Sequence, residues 1–499
     1  MSEQEKVNIV KLATGVPGLD AVLGGGVPEF SFNIIAGKPG GGKTTLAHQI
    51  VFANATPERP ALYFTVLGES AIKMLRYQQQ FQFFDTSKLG AIRFINLSEV
   101  VMKNDLSAVL DEIIREVEAA NPSIVVVDSF RTVVRKAQSS PSSEMELQGF
   151  VQRLALQLTS WQATTFLVGE YAKREVRNNP IFTVADGLFW LTQKAERNSI
   201  VRKLQIVKLR GQESVPGLHT LRITEGGLQV FPRTFGMIDK QQKPVSNRRL
   251  SIGVLELDAM FGGGIPEGDS VVVAGSSGTG KSILATQFIA EGLRQGEAGV
   301  IAVFEERPQE YSERAGTLGL DFTTPQSEGL LKIIYLRPLD LSVDETLQEL
   351  LEAVQKTGAK RVVIDSLMGF EMALAPTFRL DFRESLYRLI AALTGNGITI
   401  LSTMELPETF TEFRFSPYAI SFLTDDIIRL RYVEIEGELR TILVIVKMRG
   451  GKHSKQIREY EITDKGMVIG KHLKGYHGLI TGIPEPTSAS RPDSPAPTA

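Results

Sequence analysis

Two eight-residue segments carry the residue types that grip a chain of phosphates. Gly37-Lys-Pro-Gly-Gly-Gly-Lys43-Thr44 and Gly275-Ser-Ser-Gly-Thr-Gly-Lys281-Ser282 both satisfy G-x-x-x-x-G-K-[S/T]. Gly37, Gly40 and Gly42 in one, and Gly275, Gly278 and Gly280 in the other, let backbone N–H groups turn inward around the phosphates. The helix that follows adds the positive end of its dipole. Lys43 and Lys281 are expected to neutralise the β and γ oxygens and to assist catalysis, while the hydroxyls of Thr44 and Ser282 ligate Mg2+. Thr45 and Thr279 complete the expected ATP contacts.

Other residues extend this chemistry. Asp128 and Asp365 each close a short apolar run and precede a serine, the layout of a carboxylate that holds the Mg2+ shell. The run VIAVF ends in Glu305-Glu306, two carboxylates placed to accept a proton from an attacking water or hydroxyl, with Glu305 also near the ion. The matching stretch of the first half reads LYFTVLGES. Leu67 and Gly68 take the carboxylate positions there and only Glu69 lies nearby as a candidate, so hydrolysis is better supported in the second half. Lys208-Leu-Arg210 and Lys447-Met-Arg449 each follow a β-like run. Two cations spaced two apart on an extended segment point to one side, and in a ring of subunits they could reach a neighbour's γ-phosphate. A plain basic hairpin is the alternative.

These residues need strands that end and helices that begin at the right places. Short β-branched runs (FNIIAG, SIVVVDS, VVVAG, VIAVF, RVVIDS) predict buried parallel strands, and patterns such as LSAVLDEIIREVEAA predict intervening helices. The alternation implies an α/β fold of two tandem P-loop domains, each a doubly wound, mainly parallel sheet with its ligand beyond the carboxyl ends of the strands. The chain repeats itself: TGVPGLDAVLGGGVPE from Thr14 returns as SIGVLELDAMFGGGIPE from Ser251. Domains are expected at 1–236 and 249–470, with a polar linker at 237–248. Residues 471–499 are expected to be a largely disordered tail, because Pro, Ser and Ala dominate after Ile483.

Composition narrows the chemistry. With 499 residues the chain exceeds what one core usually organises. No cysteine is present, which excludes disulfides and thiolate chemistry, and five histidines at no ligand-like spacing argue against a histidine metal site. A formal charge of −2 gives no overall basic field for nucleic acid. The absence of a long apolar run and of a signal-peptide layout leads to the expectation of a cytoplasmic protein without a membrane partner.

Together these motifs resemble the KaiC circadian clock family within the RecA-like ATPases, across nearly the whole chain. The resemblance implies a double-ring homohexamer with ATP at subunit interfaces, ATPase activity, and autophosphorylation of serine and threonine in the second domain. It also implies a KaiB-like or other signalling protein as partner. The family's adjacent Ser-Thr acceptor pair falls on Ser421-Phe422, and its upstream threonine on Ser416. Ser421 is thus the expected phosphoacceptor and Ser416 a second, while Phe422 cannot accept. A nucleotide-gated assembly module without phosphotransfer is the alternative, and a RecA-type DNA-handling ATPase a more distant one.

Overall fold

The structure is a computed structural model that describes residues 9–66, 71–103, 106–137, 143–177, 179–196, 199–233, 246–336, 342–374, 382–406, 424–480 and 484–487. The chain divides between Arg233 and Thr234 into two compact units. In the first, ten main elements matter: β1 (Phe32–Gly37), α1 (Lys43–Asn54), β2 (Ala61–Thr65), β3 (Ile92–Asn96), α2 (Leu106–Ala120), β4 (Ile124–Asp128), α3 (Ser143–Ser160), β5 (Thr164–Glu170), β6 (Gly187–Glu196) and β7 (Ser199–Leu209), followed by β8 (His219–Thr224) and β9 (Gly227–Phe231).

The second unit repeats them as β10 (Ser270–Gly275), α4 (Lys281–Arg294), β11 (Gly299–Val303), α5 (Pro308–Thr317), β12 (Leu331–Tyr335), α6 (Val343–Thr357), β13 (Arg361–Asp365), α7 (Phe382–Gly395), β14 (Thr399–Glu405), β15 (Asp426–Ile435), β16 (Glu438–Lys447), β17 (Arg458–Thr463) and β18 (Gly466–His472). Each unit holds a nine-stranded sheet. The orders are β3-β2-β4-β5-β1-β6-β7-β8-β9 and β12-β11-β13-β14-β10-β15-β16-β17-β18, the same arrangement twice. The six strands from β3 to β6, and from β12 to β15, run parallel, and the last three of each sheet are antiparallel. The expected doubly wound α/β sheets are therefore present in both halves.

The central strands are largely apolar because both faces are covered. All six residues of β1 and of β10 are buried. Successive side chains go to opposite faces: Ile34 joins a core with α2 residues Val109, Ile113 and Val117, while Ile35 joins one with α1 residues Leu46 and Ile50. The second unit has the same two-faced core, with Val272 packed toward α6 and α7 and Val273 toward α4.

Part of the expected tail is folded. β18 runs to His472, and Tyr476–His477 pairs antiparallel with Glu485–Pro486. Leu479 is buried against Val433, Ile435 and Ile442, and Arg431 Nη1 donates to the Ile480 carbonyl at 2.6 Å. One apolar anchor and one hydrogen bond thus hold the first part of a segment expected to be largely disordered. Linker positions 237–245 and tail positions 488–499 lie outside the described residues.

Candidate nucleotide sites

Each G-x-x-x-x-G-K segment joins the end of a central strand to the start of a helix. Gly42 and Gly280 are the residues before α1 and α4, with φ of 93° and 83°, a left-handed conformation that only glycine adopts cheaply. Lys43 Nζ donates to the Lys38 carbonyl at 2.8 Å and Lys281 Nζ to the Ser276 carbonyl at 2.7 Å, so both loops curl over their lysine in the same way. Burial lowers the pKa of both ammonium groups, against the opposing pull of Glu170 and Asp128 on Lys43 and of Glu405, Asp365 and Glu305 on Lys281. Thr279 spends its hydroxyl on the Ser276 carbonyl at 2.8 Å, and its own carbonyl accepts from the Tyr460 hydroxyl at 2.7 Å. Its side chain shapes the loop.

In the first unit Thr44 Oγ1 donates to Asp128 Oδ2 at 2.8 Å, and Tyr63 donates to the same oxygen at 3.0 Å. The fold brings Gly40, Gly42, Lys43, Thr44, Thr45 and Asp128 around one cavity of about 500 Å³. Phe81 and Ile223 give it an apolar wall, and Arg131 and Glu170 add opposite charges. Arg131 is held by Glu175 at 2.6 Å and lies over the Tyr171 ring, 4.9 Å from its centroid. A hydroxyl and a carboxylate side by side at the start of a helix are hard oxygen donors, a set that fits Mg2+ sharing its shell with phosphate oxygens.

The second unit brings Lys281, Asp365, Glu305 and Glu306 together. Thr403 Oγ1 donates to Asp365 Oδ1 at 2.5 Å and Ser366 Oγ to Glu305 Oε1 at 3.2 Å. Arg314 Nη2 lies 2.5 Å from Glu306 Oε1.

The basic pairs are elsewhere. Lys208 stands opposite Leu188 on β6, whose start runs level with Asn33, whereas the phosphate loop leaves β1 at Gly37. Roughly 10 to 16 Å of strand separates the pair from its own loop. Lys208 donates to the Thr183 carbonyl at 3.1 Å and Arg210 pairs with Asp186 at 3.2 Å. In the second unit Lys447 stands opposite Ile427, near the start of β10, donates to the Thr424 carbonyl at 2.5 Å and has Arg449 close by, 3.8 Å from Asp425. Neither pair reaches the nucleotide site of its own domain. Glu69, Ser416 and Ser421 lie outside the described residues.

Sequence reasoning missed Glu170 and Glu405. Both end the strand next to the phosphate loop, in register with Gly37 and Gly275. The signal was there, since TTFLVGE and TILSTME are matching apolar runs that each stop at a glutamate.

A family model described as the KaiC ATPase matches residues 12–234 and again 250–474. The chain belongs to the KaiC family of ATPases. Among KaiC relatives, the circadian clock oscillator protein KaiC of Picosynechococcus is 30% identical over 486 residues, covering 95% of this chain and 92% of the relative. The oscillator protein KaiC 1 of Synechocystis is 31% identical over the same shares. KaiC of Synechococcus elongatus is 28% identical over 97% of this chain and 93% of its own. The two family matches fall on the two sheets, so each repeat is one KaiC-type ATPase domain. Among the described residues no helix is long and apolar enough to cross a membrane.

Proposed function

We propose that this KaiC-family ATPase is a cytoplasmic homohexameric Ser/Thr autokinase that binds ATP at its subunit boundaries. The observation that carries this is the division of each domain into a phosphate loop at one end of the sheet and a basic pair at the other. In the second domain Lys281, Ser282 and Asp365 hold Mg-ATP, and Glu305 and Glu306 supply the base. Lys447 and Arg449 of a neighbouring subunit steady the γ-phosphate, and Ser421, with Ser416 as a second position, accepts it. Bound Mg2+ supplies neutralisation of the charge that develops on the phosphates. In the first domain the same contacts fall to Lys43, Thr44 and Asp128, with Phe81 and Ile223 as an apolar face for the base. Leu67 and Gly68 replace the carboxylates there, so that domain chiefly binds ATP and closes the ring, with Glu69 as its remaining acid.

Intact-mass and site-mapping spectrometry after incubation with Mg-ATP, with released phosphate quantified in the same sample, tests this. Added mass on Ser421 or Ser416 is expected, and its loss in a Glu305→Gln, Glu306→Gln double variant. Full hydrolysis and phosphorylation by that variant would refute the assignment. Phe422, beside Ser421, favours a second reading in which nucleotide state gates assembly for a KaiB-like or other signalling partner. Phosphate release without added mass is its signature.

A further inference from the structure

Glu305 and Glu306 are adjacent in sequence but have different partners. Glu305 is touched by the Ser366 hydroxyl, which also accepts from the Gly369 N–H at 3.0 Å. Among the described residues it makes no ion pair within 4.0 Å. Glu306, just before α5, is instead clamped by Arg314, which lies eight residues later on that helix and comes within 2.5 Å.

Arg314 is itself fixed from two sides. Its guanidinium lies over the Tyr311 ring, 4.5 Å from the centroid, and Nη2 is 4.0 Å from Asp365 Oδ2. Tyr311 is fully buried and its hydroxyl is hydrogen-bonded to Thr286 Oγ1 at 3.0 Å. Thr286 belongs to α4 and donates to the Ser282 carbonyl at 2.7 Å. A continuous path of contacts therefore runs from the first turn after the phosphate loop, through Thr286, Tyr311 and Arg314, to Glu306 and Asp365. A planar, permanently charged guanidinium suits this work, because it stacks on a ring and binds a carboxylate at the same time.

We propose that Arg314 is a positioning residue that divides the labour of the two glutamates. It holds Glu306 as a counterion and keeps that carboxylate from proton abstraction, leaving Glu305 to act as the base. The inference rests on the second domain being a hydrolytic site. In the step concerned, the bond from the water oxygen to the γ-phosphorus forms as the bond to the β,γ-bridging oxygen breaks. ADP leaves with that electron pair and the water's proton passes to Glu305.

The test uses the full chain and counts only the ATP hydrolysis abolished by Lys281→Ala. Glu305→Gln is expected to lower kcat about 100-fold, the usual scale for a lost general base, and Glu306→Gln less than about tenfold. Arg314→Met should lower kcat roughly tenfold with KM for ATP within about twofold, the pattern of an interaction used in the reaction rather than in binding. Arg314→Lys should recover part of the loss. In the Glu306→Gln background Arg314→Met should cost less than about twofold, because the partner it positions is already neutral. Equal costs for the two glutamates, or the same cost of Arg314→Met in both backgrounds, would overturn the inference. Should Arg314→Met fail to fold, the comparison of the two glutamine variants with Arg314→Lys decides alone. Absence of Lys281-dependent hydrolysis from the unmodified chain would overturn the hydrolytic assignment of the domain and this inference with it.

Discussion

The His48 imidazole lies flat on the Tyr63 ring, with centroids 4.4 Å apart and planes 13° from parallel. His48 is fully buried on α1, neither of its ring nitrogens has a hydrogen-bond partner among the described residues, and burial pushes its pKa down to about 3. The unfolded chain takes up a proton near pH 6.5, while the folded imidazole stays neutral until about 3. Stability from this group is therefore complete above 6.5 and declines as pH falls toward 3, with a slope approaching about 1.4 kcal/mol per pH unit. Both tryptophans, Trp161 and Trp190, belong to the first domain, so urea unfolding followed by their fluorescence at fixed protein concentration reads this domain alone. Between pH 6 and 5 a His48→Phe variant is expected to lose that slope. An unchanged slope would mean that other groups set the acid sensitivity.

Arg361 is wholly buried, pairs with Glu297 at 2.7 Å, and donates to the carbonyls of Ser251 and Phe288 at 2.6 and 2.9 Å. Its guanidinium stacks over Phe288 at 4.7 Å. Glu297→Leu leaves that cation without its counterion and is expected to cost the second domain about 3–5 kcal/mol, whereas adding Arg361→Met should restore part of it. Far-UV circular dichroism during urea unfolding checks both. A double variant less stable than the single would show that packing, not charge, dominates.

The repeated GGG segments impose a shared backbone demand. Gly26 and Gly264 have φ of 132° and 113°, and a Cβ on either would stand 2.5 Å from a carbonyl oxygen, that of Leu12 or Leu250. Alanine at either position should destabilise its own domain by about 1–3 kcal/mol, from the unfavourable φ and the clash together. Tryptophan fluorescence should register Gly26→Ala and leave Gly264→Ala unseen, and the reverse would contradict the domain division.

If the basic pairs act on a neighbour, complementary defects should rescue one another. Chains with Lys281→Ala and chains with Lys447→Ala, Arg449→Ala are each expected to lose hydrolysis at the second-domain site. Mixed in equal amounts and reassembled, they should regain roughly a quarter of it, the fraction of head-to-tail joints that pair an intact loop with an intact basic pair. No recovery on mixing would rule out a role for the pair at a neighbour's site.

Much of this was legible in the sequence. The phosphate loops, Asp128 and Asp365 announce themselves because glycine, lysine and carboxylate must recur at fixed spacing after apolar strands. The sheets follow from those same continuous β-branched runs. Arg314 was invisible for the opposite reason: an arginine on an amphipathic helix reads as a solvated face until the fold stacks it on Tyr311. Arg361 was hidden likewise, because its partners Glu297, Ser251 and Phe288 come from distant stretches of chain. The folded part of the tail depends on Leu479 finding a pocket between Val433, Ile435 and Ile442, which local composition does not encode.

The opposite placement of loop and basic pair makes each domain directional, like a link with a hook at one end and an eye at the other. If each basic pair serves a neighbour's loop, as proposed, an open row of such links wastes one hook and one eye, and only a closed circuit engages them all. Occupancy at any joint would then be felt by two chains, and such a circuit would pass a nucleotide signal around itself in a single sense.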